Sequence, residues 1–394
     1  MDKAPHPPFT ASQPKGEPPE GRWCEAAHNL WRHNRHQEAL ERLQQEIDGF
    51  PPNQPPRQQS LQRVLYLFNL GEYAPCERWL RQLVRCYPKE IIFIENLVVL
   101  LMKQGKVEGA KPWIQVLEQQ QQVNFNQLDL ISAFYQKTGN IKKARIYGEI
   151  SLAGKSRVAK PLPNWWPPQM SPGEWLKERH GQNVLAFSLW GTRERYLYGA
   201  QQNMNLIPQL YPGWTMRLYC DNTVPPALLQ EARQKGVQVM MMPHGQSMGE
   251  KLCWRFLVAN DPKVGRFQVR DIDAVVSGRE QRAVAAWIHS GRWFHVMRDW
   301  WSHTDPMLAG MWGGIAGILP QLQPLLRAYE PGQKDTPNVD QQFLRHVLWG
   351  SIRHHALIHD RCFRSEGAIP WPDPDPPSPL HVGRNQFAGR ESSQ

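Results

Sequence analysis

Cysteine is scarce and scattered. Six occur in 394 residues (Cys24, Cys76, Cys86, Cys220, Cys253 and Cys362), and no two stand at CxxC spacing. That excludes a zinc ribbon or a disulfide framework and fits reduced thiols in a cytoplasmic protein. Long apolar runs are missing too. No window reaches the roughly 18 uncharged residues of a membrane-spanning helix, and the N-terminal stretch has no apolar segment of the kind a signal peptide needs. No GxxxxGK is present, which removes the P-loop enzymes. Charged residues make up only 21%, yet Lys and Arg outnumber Asp and Glu by 46 to 36, a formal +10. That surplus suits nucleic acid, anionic lipid or a phosphorylated substrate, and it equally suits plain solubility. No nucleic-acid-binding module accompanies it, so nucleic acid is not expected as a partner.

What the chain has in abundance is proline and tryptophan, 35 and 17 residues. The prolines gather at 1–19, 51–56, 161–172 and 370–379. Such stretches are extended and semi-rigid, so they read as a tail, a loop, a linker and a C-terminal strap. Hydrophobic residues reach 41%, enough for packed cores, and the length suits two domains.

The first domain is periodic. Gly71, Gly105 and Gly139 stand 34 residues apart, and a small residue follows each by five: Cys76, Ala110 and Ala144. A looser earlier copy places Asn34 and Ala39 in the same roles. Each unit reads as a helix, a left-handed turn that Gly or Asn accepts, and a second helix packed closely through the small residue. The period and these positions resemble tetratricopeptide repeats over 22–155, preceded by a disordered tail (1–21). The stack is either a docking surface for a protein partner, with Arg78, Arg81, Arg85, Lys103 and Lys106 as contacts, or a structural arm.

After a Pro/Trp-rich linker (156–182) short apolar runs alternate with helical stretches. Strands are expected at 183–190, 215–220, 237–242, 266–270 and 293–298. Alternation of this kind implies a largely parallel sheet covered on both faces, with ligands beyond the carboxyl ends of the strands. Directly after the fourth strand come Asp271-Ile272-Asp273, two carboxylates able to turn toward one hard cation such as Mg2+ or Mn2+.

The stretch FQVRDIDAVVSGREQRAVAAWIHSGRWFHVMRDWWSHTDPMLAGMWGG resembles bacterial GT-A-type glycosyltransferases with an RDxDSRLSxRE … HxMRDxxxHxxPxxGGMWG signature. The resemblance extends over about 183–389. Ala274-Val275-Val276 replace the usual Ser-Arg-Leu and Ala309 a common glycine, but both carboxylates are kept. The resemblance implies an all-α repeat stack followed by a GT-A-like Rossmannoid α/β domain. It implies a metal-dependent enzyme that moves a sugar from a nucleotide-diphosphate donor to a glycan, lipid or protein acceptor. Asp271 and Asp273 would hold the cation, and His381, in a His-x-Gly arrangement, would add a ligand or simply lie on the surface. The nucleotide would lie against Ser188, Trp190, Gly191 and Arg193, with Asp221 toward ribose or base and Arg255 near the donor. Gly313 and Gly314 would permit close backbone approach to the ligand. Asp340-Gln341 resembles the pair lining the donor sugar; Asp340 then serves as a base, a charge stabiliser or a helix cap. Asp299 would line the acceptor side, with Trp300 and Trp301 as platforms. The alternative is a non-catalytic scaffold with a degenerate transferase-like domain.

Overall fold

The computed structural model describes residues 23–329, 338–377, 379–385 and 387; the expected tail lies outside these. The chain divides into two compact units, between Ala144 and Arg145. The first is a stack of helices: α1 (Glu25–Arg32), α2 (His36–Asp48), α3 (Arg57–Asn69), α4 (Tyr73–Cys86), α5 (Ile91–Lys103), α6 (Val107–Glu118) and α7 (Phe125–Lys137). The division falls inside α8 (Ile141–Val158). Gly71, Gly105, Gly139 and Asn34 all have positive φ, between 59° and 78°, at the turns that join paired helices. Ala39, Cys76, Ala110 and Ala144 are fully buried, as close helix packing through a small side chain requires. Two of the basic residues expected to meet a partner have partners already. Arg81 and Lys106 converge on Glu77 at 2.9 and 2.7 Å. Burial acts to raise the Glu77 carboxyl, but those cations and Gln104 bring it down to about 2.

The second unit is mixed α/β. After α9 (Pro172–Arg179) it runs β1 (Gln182–Leu189), α10 (Glu194–Leu210), β2 (Trp214–Cys220), α11 (Pro226–Gln234) and β3 (Gln238–Met241). A short α12 (Met248–Cys253) leads through a 3-10 segment to β4 (Val264–Arg270), α13 (Gly278–Ser290), β5 (Phe294–Arg298) and β6 (Met311–Ile315). α14 (Leu322–Ala328), α15 (Val339–Phe343), α16 (Trp349–Ile352), β7 (Ala356–Asp360) and β8 (Ala368–Ile369) follow. One eight-stranded sheet has the order β3-β2-β1-β4-β6-β5-β7-β8. Only β6 among the described strands runs against the rest, pairing antiparallel with β4 and β5. Strand order reverses between β1 and β4, which opens a crevice at their carboxyl ends.

β6 was not expected from the sequence, which suggested that its glycines lay against a ligand. The structure gives them a packing role. A Cβ on Gly313 would overlap Phe267 and Gln268 of β4, and one on Gly314 would press on the Phe294 ring of β5. Both glycines make room for neighbouring strands inside the sheet.

Beside them lies a buried histidine pair. His295 Nε2 and His359 Nδ1 are 2.9 Å apart, and the His295 ring stacks on Trp287. Burial, together with His359 and Arg270, holds His295 well below its ordinary value. Burial and Arg279 lower His359 to about 4. Both rings therefore fold neutral. The unfolded chain takes up protons near pH 6.5, the folded one only at much lower pH, so stability contributed by His359 is complete above about pH 6.5. It is lost as pH falls, by about 3 kcal/mol at pH 4. Urea midpoints measured from pH 7 to 4.5 should drop steeply for the wild type. They should drop less for His359→Leu; equal slopes would refute the assignment.

Candidate active site

At the carboxyl end of β1, Ser188 Oγ accepts the backbone N–H of Arg255 at 3.1 Å. The chain then turns through Gly191 (φ 72°), whose N–H donates to Thr223 Oγ1 at 2.7 Å. Thr223 in turn bonds the fully buried Asp221 that follows β2. Lys251 of α12 reaches the other Asp221 oxygen at 2.7 Å. Burial would raise the Asp221 carboxyl, but the bonds from Lys251 and Thr223 hold it below its usual range. Trp190 meets Trp254 edge to face at 6.2 Å, with the Lys251 ammonium 5.8 Å from the Trp254 ring. Arg193 is exposed at the start of α10.

Arg255 is the hub. Its side chain is 4% exposed and spans two carboxylates, Asp271 at 2.6 Å and Asp340 at 2.8 Å, while also donating to the Arg270 carbonyl at 2.9 Å. Burial opposes its charge, but the two carboxylates hold the guanidinium firmly protonated. For Asp340, burial pushes the carboxyl upward and Arg255 acts against that. Its Oδ1 also caps the N–H of Gln341 at 2.8 Å.

The Asp271-Ile272-Asp273 turn is held from α10. Asn203 donates to the Ile272 and Ala274 carbonyls at 3.2 and 3.4 Å and accepts the Val276 N–H at 3.0 Å. Gly199 lets that helix close on the turn, since a Cβ there would overlap the Ile272 carbonyl. Asp273, nearly buried, pairs with Arg195 at 2.8 Å.

Other expected site residues stand elsewhere. Asp299 is fully buried, and it binds Arg279 at 3.0 Å and the Val382 N–H at 2.8 Å. Burial raises its carboxyl against those two donors. It thus anchors the proline-rich strap, whose Asp373 and Pro374 carbonyls also bind Arg279. Trp300 is buried with His381 stacked on it at 4.7 Å, so it presents no open platform. The signature arginines are largely structural. Arg270 pairs with Glu280, Arg279 with Asp299 and Arg298 with Asp360. A further motif, Gly245-Gln246-Ser247-Met248-Gly249, has the GxSxG spacing of a hydrolase elbow. Here Ser247 Oγ is spent as the α12 N-cap, bonded to Glu250.

Among the described residues, no group of three or more His, Cys, Asp or Glu is arranged to hold a metal ion. The expected three-ligand set with His381 is therefore not assembled; His381 Nδ1 lies 2.9 Å from the Pro379 carbonyl. The donor chemistry of the turn itself does fit a divalent cation. Mg2+-type ions are commonly held by one or two carboxylates, with substrate phosphates completing the shell. Gly310 leaves room for the Asp271 side chain, because a Cβ there would overlap its carboxylate.

No family model matches the chain, and no curated protein matches it. Solved structures show distant likenesses. A mutant O-GlcNAc transferase of Thermobaculum terrenum is 17% identical, over 62% of this chain and 44% of its own, with a TM-score of 0.39. MamA of Desulfovibrio magneticus RS-1 is 16% identical over 32% of this chain and 70% of its own, with a TM-score of 0.28. Glucosyl-3-phosphoglycerate synthase of Mycobacterium tuberculosis, in complex with Mg2+ and uridine-diphosphate, is 14% identical. That match covers 34% of this chain and 49% of the synthase at a TM-score of 0.23. The chain thus spans less than half of the transferase and about half of the synthase. No helix among the described residues is long and apolar enough to cross a membrane.

Proposed function

We propose that the α/β unit is a GT-A-type glycosyltransferase that moves a sugar from a nucleotide diphosphate to a hydroxyl acceptor. One observation carries the reading: the carboxylates Asp271 and Asp273 directly follow β4, at the strand-order reversal beside β1. Open sheets bind ligands in such a crevice. Asp221, Lys251, Trp190 and Gly191 form its nucleotide side, where Asp221 can accept ribose or base donors and Lys251 supplies charge toward phosphate. Arg193 and Arg195 stand at the same mouth and add to that charge. A divalent ion held by Asp271 and Asp273 would neutralise charge on the departing diphosphate.

Asp340 and Gln341 face the transferring sugar in this reading. Asp340, locked in place by Arg255, is placed to stabilise positive charge that develops on the sugar ring. Arg255 is a positioning residue, because it fixes the metal-side Asp271 against the sugar-side Asp340. Asp299, in this reading, holds the strap.

The test is a thermal-shift panel of nucleotide sugars with and without Mn2+. A true donor at a hundredfold excess over its Kd should stabilise the fold by about 2.7 kcal/mol with the metal, a rise of several degrees, and by less without it. No metal-dependent shift and no turnover with any donor would favour the scaffold alternative.

A further inference from the structure

We infer that Asp305 is a positioning residue for Gln341, itself anchored by Arg345 and Lys155. The inference rests on the transfer reaction proposed above. Three elements converge on this carboxylate. Gln341 Nε2 donates to Oδ2 at 2.5 Å, and Arg345 donates to Oδ1 at 2.9 Å. Lys155 of α8 lies 3.9 Å from Oδ1 and donates to the neighbouring Thr304 carbonyl at 2.9 Å.

Burial decides what this cluster does. The Asp305 side chain is 7% exposed and Lys155 only 1%. A carboxylate and an ammonium so far from water persist only when paired and fully hydrogen-bonded. Gln341 and Arg345 are four residues apart on one helical face, so their two donors clamp the start of α15 and the turn after it onto one acceptor group. The clamp also chooses which end of the Gln341 amide is presented. With Nε2 committed to Asp305, the amide oxygen is turned away from that carboxylate, free to accept a hydrogen bond from a sugar hydroxyl. Asp340, one residue earlier, is fixed separately by Arg255. The pair is thus held from two sides, and Asp305 acts through Gln341.

Asp305→Asn is the test, since Gln341 and Arg345 donate to different carboxylate oxygens and an amide replaces one of these with a donor. Sugar transfer from the donor found in the Mn2+ panel should show kcat lowered roughly 10- to 100-fold, with donor KM changed less than about threefold. In a Gln341→Ala background the same substitution should lower kcat no further; an additive loss would overturn the inference. A second readout needs no turnover. Solvent exchange of the Gln341 side-chain amide protons, followed by NMR, should quicken at least about tenfold in Asp305→Asn, and unchanged exchange overturns the inference. If exchange quickens while the wild type transfers sugar from no donor, the positioning stands and the transferase reading falls. Lys155→Met, an apolar replacement of similar length, gives the same two readouts should Asp305→Asn not fold.

Discussion

Arg255→Met should destabilise the α/β unit by about 3–5 kcal/mol, the usual cost of removing one partner from a buried ion pair. The reason is asymmetry. Arg255 is nearly inaccessible and is the cation that serves both Asp271 and Asp340. Asp271 is 23% exposed and can turn toward water, but Asp340 is 5% exposed and cannot. Without the guanidinium, Asp340 must either carry an uncompensated charge in the interior or take up a proton. Arg255→Lys should recover only part of the loss, because one ammonium lacks the fork that spans two carboxylates and the Arg270 carbonyl. Arg255→Met combined with Asp340→Asn should regain more than half of it, since both buried charges are then gone. Urea unfolding followed by tryptophan fluorescence measures all three. A loss below about 1 kcal/mol in Arg255→Met would show that the bridge is not holding the site together.

The sequence revealed the central strands because parallel strands covered on both faces must be nearly continuous apolar runs. Strands β1 to β5 fall within two residues of the expected stretches. Three further strands, β6, β7 and β8, were not expected, and the first two hid for physical reasons. β6 carries adjacent glycines, which read as a ligand-facing loop, yet β4 and β5 crowd that position so closely that no side chain fits. β7 ends in His359 and Asp360, polar residues that look exposed until their partners, His295 and Arg298, are known. The same rule governs the site. Ser188, Asp221 and Asp271 were visible as polar residues that close apolar runs. Their partners were not. Lys251 meets Asp221 across 30 residues, Arg195 meets Asp273 across 78, and Arg255 meets Asp340 across 85. Such pairings are set by the strand order, which no local pattern encodes. Asp299 stands in a conspicuous motif, and its own partners, Arg279 and the Val382 N–H, were equally invisible in the sequence.

Asp271→Asn with Asp273→Asn should lower sugar transfer at least about 10³-fold, equivalent to about 4 kcal/mol of lost transition-state stabilisation. The fold should survive. Each of the two introduced amides keeps an oxygen able to accept from Arg255 or Arg195, Asp340 remains as the buried counter-charge for Arg255, and Arg195 is 40% exposed and can be hydrated. The double variant should therefore unfold within about 2 kcal/mol of the wild type. What it loses is the ability to hold a divalent cation, because a neutral amide is a far weaker ligand than a carboxylate. Two measurements separate these effects. Release of nucleoside diphosphate should fall to background, and the Mn2+-dependent part of the donor's thermal shift should vanish. A metal-independent part should persist, because Asp221, Lys251 and Trp190 are untouched. Turnover within threefold of the wild type would remove the carboxylate pair from the reaction, and Lys251, Arg193 and Arg195 would then be the groups left to balance the charge of the leaving diphosphate.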